Sequence, residues 1–379
     1  MKRILLIHLG ANGDCVMATT LARQIKKDYP GCQLTWCIAT RYASVIKNNP
    51  SVDACWEFQL KEGETIAPEG WYRCKAEADR RKEAGEFDLV FNTQVFPDNI
   101  RNFDGTTRSS TFRNYPHPVT VPVTPVVCLL PEEVANAQVF AERYRLAAYQ
   151  HVILMECSPG SGQSAFNLET GVELARRLAE TRKDLAVIVS TRTPFVSPHE
   201  RVIPGNSLSY RENAALTHHC TFLVGCSSGI TWLATSDASK PLKTVQFLSR
   251  NLGACFASVV YDFSFWKLPT AHIIENTTTD IHAMEQIVLS ALDNFEQAKK
   301  RYHQSLRPVF WSWLCCVDHR RGFRGMITSY KTLFLYIRRN GLSVLDVLDV
   351  VSLYRVVRTA YHVFFPRCKS VRERKGLLL

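Results

Sequence analysis

The first residues equipped for chemistry stand in one short run, Gly10-Ala11-Asn12-Gly13-Asp14, directly after an apolar stretch. Two glycines let a backbone turn tightly and approach a ligand. Asp14 falls at the start of the helical pattern that follows. An acid in that position has two roles open to it. It caps the helix and complements its dipole, or it acts as general base toward a bound hydroxyl, a role worth roughly 10²–10⁴ in rate. A dinucleotide site fits poorly. Asn12 stands where the GxGxxG pattern needs its middle glycine, and the second strand ends in Ala39-Thr40-Arg41 with no acid for a ribose.

A second run, Gly225-Cys226-Ser227-Ser228-Gly229-Ile230-Thr231-Trp232, also joins a strand to a helix. Small residues at a helix N-terminus leave N–H groups free for an anion. A diphosphate held without a metal is the expected occupant; the alternative is an ordinary Ser-capped helix start. Trp232 either stacks on a base or sugar or belongs to the core. A third Gly/Ser run, from Ser158 to Ser164, again follows a strand. Glu156, just before it, faces the cleft or solvates the strand end, and the sequence favours neither.

These loops need strands to carry them. Residues 3–8, 34–39, 53–58 and 88–93 have strand character, alternating with helical spacing at 16–29, 42–47 and 71–84. Residues 98–125 lack a period and are expected to form a long loop and an interdomain linker. The alternation then restarts. Strands are expected at 151–155, 185–190, 221–224 and 243–247, with helices at 131–146, 170–180, 210–218, 229–236 and 281–300. Such alternation implies parallel sheets with helices on both faces, in two doubly wound units. The expected division is 1–125, 126–300 and a tail, 301–379.

Composition sets the remaining bounds. The chain has 379 residues, enough for two cores, and a net charge of +11. Residues 301–379 hold 15 Lys and Arg against 4 Asp and Glu, so the body before them is balanced. From residue 308 on, Trp, Tyr and Phe are mixed with Arg. Basic, aromatic, amphipathic segments suit an anionic membrane surface, the alternative being helices that pack on the two domains. No nucleic-acid module is recognisable, so a nucleic-acid partner is not expected. The 13 cysteines show no CxxC spacing, which points to a reduced chain without a disulfide framework or zinc site. No signal peptide and no transmembrane run are expected.

Residues 3–23, with the core Leu9-Gly10-Ala11-Asn12-Gly13-Asp14, closely resemble the N-terminal motif of glycosyltransferase family 9, the lipopolysaccharide heptosyltransferases. Residues 33–50, with Trp36, Arg41-Tyr42 and Asn49-Pro50, and residues 210–234 fit the same pattern. The resemblance covers roughly 1–60 and 130–250. It implies a GT-B architecture: two Rossmann-like domains with the active site between them, followed here by the basic tail. It implies inverting, metal-independent transfer of a sugar, such as heptose, from a nucleotide-diphosphate donor to a lipid-linked or oligosaccharide acceptor of the surface-glycan type. No cofactor is expected, and the location would be cytoplasmic, peripheral at the inner membrane. Asp14 matches the family's base. Gly10, Asn12 and Gly13 fall on the acceptor side. Ser227, Ser228, Gly229, Trp232, Glu200, Ser161 and Ser164 fall on the donor side. The family's Asp-Ser/Thr-Gly-x-x-His loop is here Ser227-Ser228-Gly229 with Trp232 at the histidine position. Its donor-side lysine is replaced within Ser164-Ala165-Phe166-Asn167. A catalytically inactive nucleotide-sugar-binding protein on the same fold is therefore the second expectation.

Overall fold

The structure is a computed structural model that describes residues 1–95, 98–99, 107–160, 163–249 and 258–306. The tail from 308 and Ser161 lie outside the described residues.

The first sheet is built from β1 (Arg3–Ile7), β2 (Gln33–Ala39), β3 (Ala54–Phe58) and β4 (Leu89–Asn92), all parallel, in the order β3-β2-β1-β4. Its helices are α1 (Asn12–Asp28), α2 (Trp71–Glu83) and α3 (Thr107–Phe112). Ile4, Leu5 and Leu6 of β1 are fully buried, as a central parallel strand covered on both faces requires. The helix α1 turns Val16, Leu21 and Ile25 inward, and it stops where Tyr29 leaves helical geometry ahead of Pro30 and Gly31. Gly31 takes a φ of 73°, which favours glycine. The helix expected at 42–47 is a 3-10 segment, Thr40–Ile46.

The second unit runs α4 (Pro131–Arg143), β5 (His151–Glu156), α5 (Leu168–Thr181), β6 (Leu185–Ser190), β7 (Val202–Pro204), α6 (Glu212–Leu216) and β8 (Phe222–Gly225). It continues with α7 (Gly229–Leu233), β9 (Lys243–Phe247), α8 (Val259–Phe265), β10 (Ile273–Asn276), α9 (Ile281–Asp293) and α10 (Phe295–Tyr302). Its six parallel strands take the order β10-β9-β8-β5-β6-β7. The chain winds outward from β5 to β7, returns to β8 and winds the other way. The order therefore reverses between β5 and β8, where a crevice opens beyond the strands' carboxyl ends. In the first sheet β1, between β2 and β4, has the same place.

Several elements differ from expectation. Strands β7 and β10 and helices α3 and α8 were not foreseen. Val202-Ile203-Pro204 offers two apolar residues before a proline, too few to show a period. The helix expected over 281–300 breaks at Asn294, whose extended backbone (φ −149°, ψ 96°) lets its side chain accept the Gln297 N–H at 3.1 Å and cap α10.

Residues 120–127 lie along α1. Gln24 Oε1 accepts the N–H groups of Thr120 (2.7 Å) and Val121 (3.0 Å), and Thr19 Oγ1 accepts that of Val126 (2.8 Å). The same segment reaches the second unit, where Asp237 Oδ1 accepts the Val127 N–H at 2.9 Å. Arg211, buried in the second unit, donates to the carbonyls of Ser44 (3.2 Å), Lys47 (3.0 Å) and Cys128 and to Glu133 (2.7 Å). One apolar cluster runs from Ile4 and Leu6 of β1 to Val152 and Leu154 of β5. The two sheets thus share a core as well as a cleft.

Candidate active site

The loop after β1 is held by the first sheet itself. Gln94, just past β4, accepts the Leu9 N–H at 2.9 Å and donates to the Gly10 carbonyl at 2.9 Å. Trp36 Nε1 donates to the His8 carbonyl at 3.0 Å. His8 is buried with Nδ1 3.1 Å from Thr93 Oγ1, and burial lowers its pKa to about 4, so the ring is neutral at pH 7. Gly10 has no room for a side chain: a Cβ there would lie 2.4 Å from Tyr42 Cε2 and 2.8 Å from Ile66 Cδ1.

Asp14 sits in the first turn of α1. Its Oδ2 accepts the Ala11 N–H at 3.1 Å, which is the capping interaction. No other hydrogen bond to this carboxylate is present among the described residues. Burial raises its pKa to about 6, with the Ala11 hydrogen bond opposing. Capping and proton transfer are therefore compatible: one oxygen serves the helix and the other is uncommitted.

The loops of the two units meet here. A Cβ on Gly13 would lie 2.9 Å from Trp232 Cδ1, and one on Gly229 would lie 3.3 Å from Asn12 Cβ. Tyr210, beside that contact, donates to the Gly229 carbonyl at 2.7 Å within the second unit. Tyr42 and Tyr210 both lie in the field of Asp14 and of Arg192, and burial raises both phenols above their ordinary value. Arg192 is exposed two residues beyond β6, at the cleft end of that strand. Arg41 is exposed as well, with its guanidinium 5.0 Å from the Tyr42 ring centre. Arg41 and Arg192 thus both act on Tyr42, and Arg192 acts on Tyr210 as well.

On the donor side the geometry departs from expectation. The N-terminus of α7 is already occupied, by a carboxyl group of the chain itself. Glu156, at the end of β5, is buried and accepts from Ser228 N (3.1 Å), Ile230 N (2.5 Å), Thr231 N (3.3 Å) and Thr231 Oγ1 (2.6 Å). It neither solvates the strand end nor opens into the cleft; it caps α7. Burial raises its pKa and these hydrogen bonds oppose the rise. The N–H groups of Ser227, Ser228, Ile230 and Thr231, expected to cradle a diphosphate, are occupied. What remains of the loop is the half-buried Ser228 at the rim and the buried Ser227, whose N–H is bound by Gln246 Oε1 at 2.7 Å. The Ser227 hydroxyl has no partner among the described residues.

Three further donor-side expectations are corrected. Ser164 donates to the Phe247 carbonyl at 2.6 Å and accepts the Phe166 N–H at 3.0 Å, so its hydroxyl pins a loop to β9. Trp232 is buried in a cluster with Met17, Val259, Phe263 and Ile273 and is core, with no face free for a base. Glu200 stands at the wrong end of the sheet. Val202 pairs with Val187, and neighbouring Arg201 donates to the Ala179 and Arg182 carbonyls at 2.7 Å, beside the start of β6. A ligand in the crevice beyond the carboxyl ends is out of its reach.

Gln94, Arg192 and the capping role of Glu156 escaped the sequence reading. A glutamine after a strand carries no motif, and a lone arginine in a turn is ordinary. Among the described residues no cluster of His, Cys, Asp or Glu side chains could hold a metal ion, and no helix is long and apolar enough to cross a membrane.

Two Rossmann-like parallel sheets facing one another across such a cleft make the GT-B arrangement. A glycosyl transferase family 9 protein of Veillonella parvula has this fold, with a TM-score of 0.52 over 79% of this chain and 95% of that one, at 13% identity. ADP-heptose lipopolysaccharide heptosyltransferase II of E. coli is similar at a TM-score of 0.47 and 12% identity, covering 79% of this chain and 99% of that one. A UDP-N-acetylglucosamine 2-epimerase gives 0.47 and 13%, covering 79% and 89%. No protein-family model and no curated protein sequence matches the chain.

Proposed function

We propose that the chain is an inverting, metal-independent glycosyltransferase that moves a sugar, such as heptose, from a nucleotide-diphosphate donor to a lipopolysaccharide-type or other surface-glycan acceptor. The observation that carries this reading is Asp14. It stands beyond the end of the central strand β1, has one oxygen uncommitted, and is brought by burial to a pKa of about 6. A base poised there is largely ionised at neutral pH and still able to hold a proton.

In the proposed reaction the acceptor hydroxyl attacks the sugar's anomeric carbon from the side opposite the diphosphate. The new C–O bond forms as the bond to the phosphate oxygen breaks, and Asp14 takes the hydroxyl proton. The nucleoside diphosphate leaves with its electron pair. Its charge needs cations, because Glu156 fills the α7 N-terminus. Arg192 and Arg41 are the residues we assign to it, with the Ser227 hydroxyl as a further donor.

The test is a screen of nucleotide sugars for transfer and hydrolysis, with wild type beside Asp14→Ala. Retained donor binding with turnover lowered by about 10²-fold or more supports the reading. Wild-type turnover in the variant reduces Asp14 to a cap. The occupied α7 N-terminus favours a second reading, a nucleotide-sugar-binding protein without transfer. Saturable donor binding with no turnover by the wild-type chain would select it. We further propose that residues 308–379 attach the protein peripherally to an anionic membrane at the cytoplasmic face. Equal flotation of full-length and tail-deleted protein with acidic liposomes would overturn that.

A further inference from the structure

A cavity of about 520 Å³ lies under the junction, between strands β8–β10 and helices α7 and α8. Asp14, Tyr42 and the Ser227-Ser228 loop do not line it. Its walls are mainly apolar, with Leu223, Leu242, Val259 and Phe263 among them, and its size is that of a small-molecule site.

Two charged side chains line it, the exposed Asp237 and the buried Arg108. Arg108 is 1% exposed, with its guanidinium 5.4 Å from the ring centres of both Trp232 and Phe263. Its Nε is 3.2 Å from Asp262 Oδ2, an ion pair without hydrogen-bond alignment, and its Nη1 donates to the Val123 carbonyl at 3.3 Å. The remaining nitrogen, Nη2, is buried with no partner among the described residues. A buried donor left unmade costs about 1–3 kcal/mol. An acceptor atom in the cavity would recover that cost.

Charge selects the kind of acceptor. The buried charges, Arg108 and its partner Asp262, balance one another and the exposed Asp237 is solvated, so a ligand with formal charge would leave a net buried charge in an apolar site. We propose that this cavity binds a neutral, mainly aliphatic molecule whose single carbonyl or hydroxyl oxygen accepts from Arg108 Nη2. Thr231 lines the same cavity and donates its hydroxyl to Glu156. Occupancy therefore bears on the helix that faces the catalytic loop.

Titration calorimetry of the full-length chain with 2-decanone and with decanoate tests the proposal. We expect one saturable site for 2-decanone, at least about tenfold tighter than for decanoate. Ala234→Phe, which fills the cavity, should abolish binding. The double variant Arg108→Met with Asp262→Leu removes both charges and the Nη2 donor together and should weaken 2-decanone binding by about tenfold while leaving a folded protein. No saturable binding by wild type, equal affinity for decanoate, or binding unchanged in Ala234→Phe would each overturn it. Should a variant fail to fold, the comparison of the two probes on wild type still decides.

Discussion

Asp14 and Glu156 each stand beside the N-terminus of a helix that follows a central strand. Asp14 belongs to its own helix and accepts one hydrogen bond, from Ala11. Glu156 is remote from the helix it serves and accepts four, from Ser228, Ile230 and Thr231. Burial raises the pKa of both. The difference lies in what is left over. A carboxylate surrounded by donors is consumed by structure, whereas one with a single donor keeps an oxygen for a substrate proton. Burial alone does not mark a catalytic acid; incomplete satisfaction at a cleft does.

Removing the saturated acid should have the largest effect. In Glu156→Ala three backbone N–H groups lose their acceptor. At about 1–3 kcal/mol per orphaned buried donor, with partial rescue by water at the rim, the expected loss is about 3–5 kcal/mol in denaturant unfolding. Glu156→Gln keeps an acceptor oxygen and should recover part of it. A loss under 1 kcal/mol in Glu156→Ala would mean the cap is dispensable.

Asp14→Asn should invert that pattern. The amide oxygen still accepts from Ala11, so unfolding should shift little, while turnover falls by about 10²-fold or more. A variant that unfolds early yet transfers at the wild-type rate would exchange the two roles.

The pH dependence sharpens the same contrast. Asp14 must be ionised to take a proton, so kcat/KM should rise with pH through a limb near 6, and Asp14→Asn should lack it. The stability sign is opposite. The folded protein holds the Asp14 proton more tightly than the unfolded chain, whose ordinary value is 3.8. Its contribution to stability is complete below that value and is lost as pH rises through about 6. Urea unfolding of wild type and Asp14→Asn between pH 4 and 7 measures the difference.

Gly13→Ala tests the contact between the two loops. The added methyl would lie 2.9 Å from Trp232 Cδ1 and should cost about 1–3 kcal/mol. Combining it with Trp232→Phe should recover part of the loss in the same unfolding assay. At the foot of the scale, Glu200→Ala should change stability by no more than about 0.5 kcal/mol and leave nucleotide-sugar binding unaltered. A clear loss of binding would return Glu200 to the donor site.

The expected strands match β1 to β4 in the first unit and β5, β6, β8 and β9 in the second closely; β1, β5, β6 and β8 do so because buried parallel strands leave apolar runs between loop signals. Strand β7 is too short to leave one, and β10 has only two apolar residues before Glu275 and Asn276. The loop after β1 is legible because its glycines and acid are neighbours in sequence. The donor side is not, because its partners come together from distant segments. Glu156 meets Thr231 across 75 residues, and Ser164 meets Phe247 across 83.

The sequence by itself determined the alternation of strand and helix, and with it two parallel sheets and an acid beyond β1. Local spacing and hydrophobic period suffice for that, since they act within a few residues. Only the tertiary structure decided which polar groups remain unspent. It turned Glu200 away from the cleft, buried Trp232 and Ser164, and filled the α7 N-terminus with Glu156. A hydrogen bond's partner is set by proximity in space, which nothing in the local sequence records.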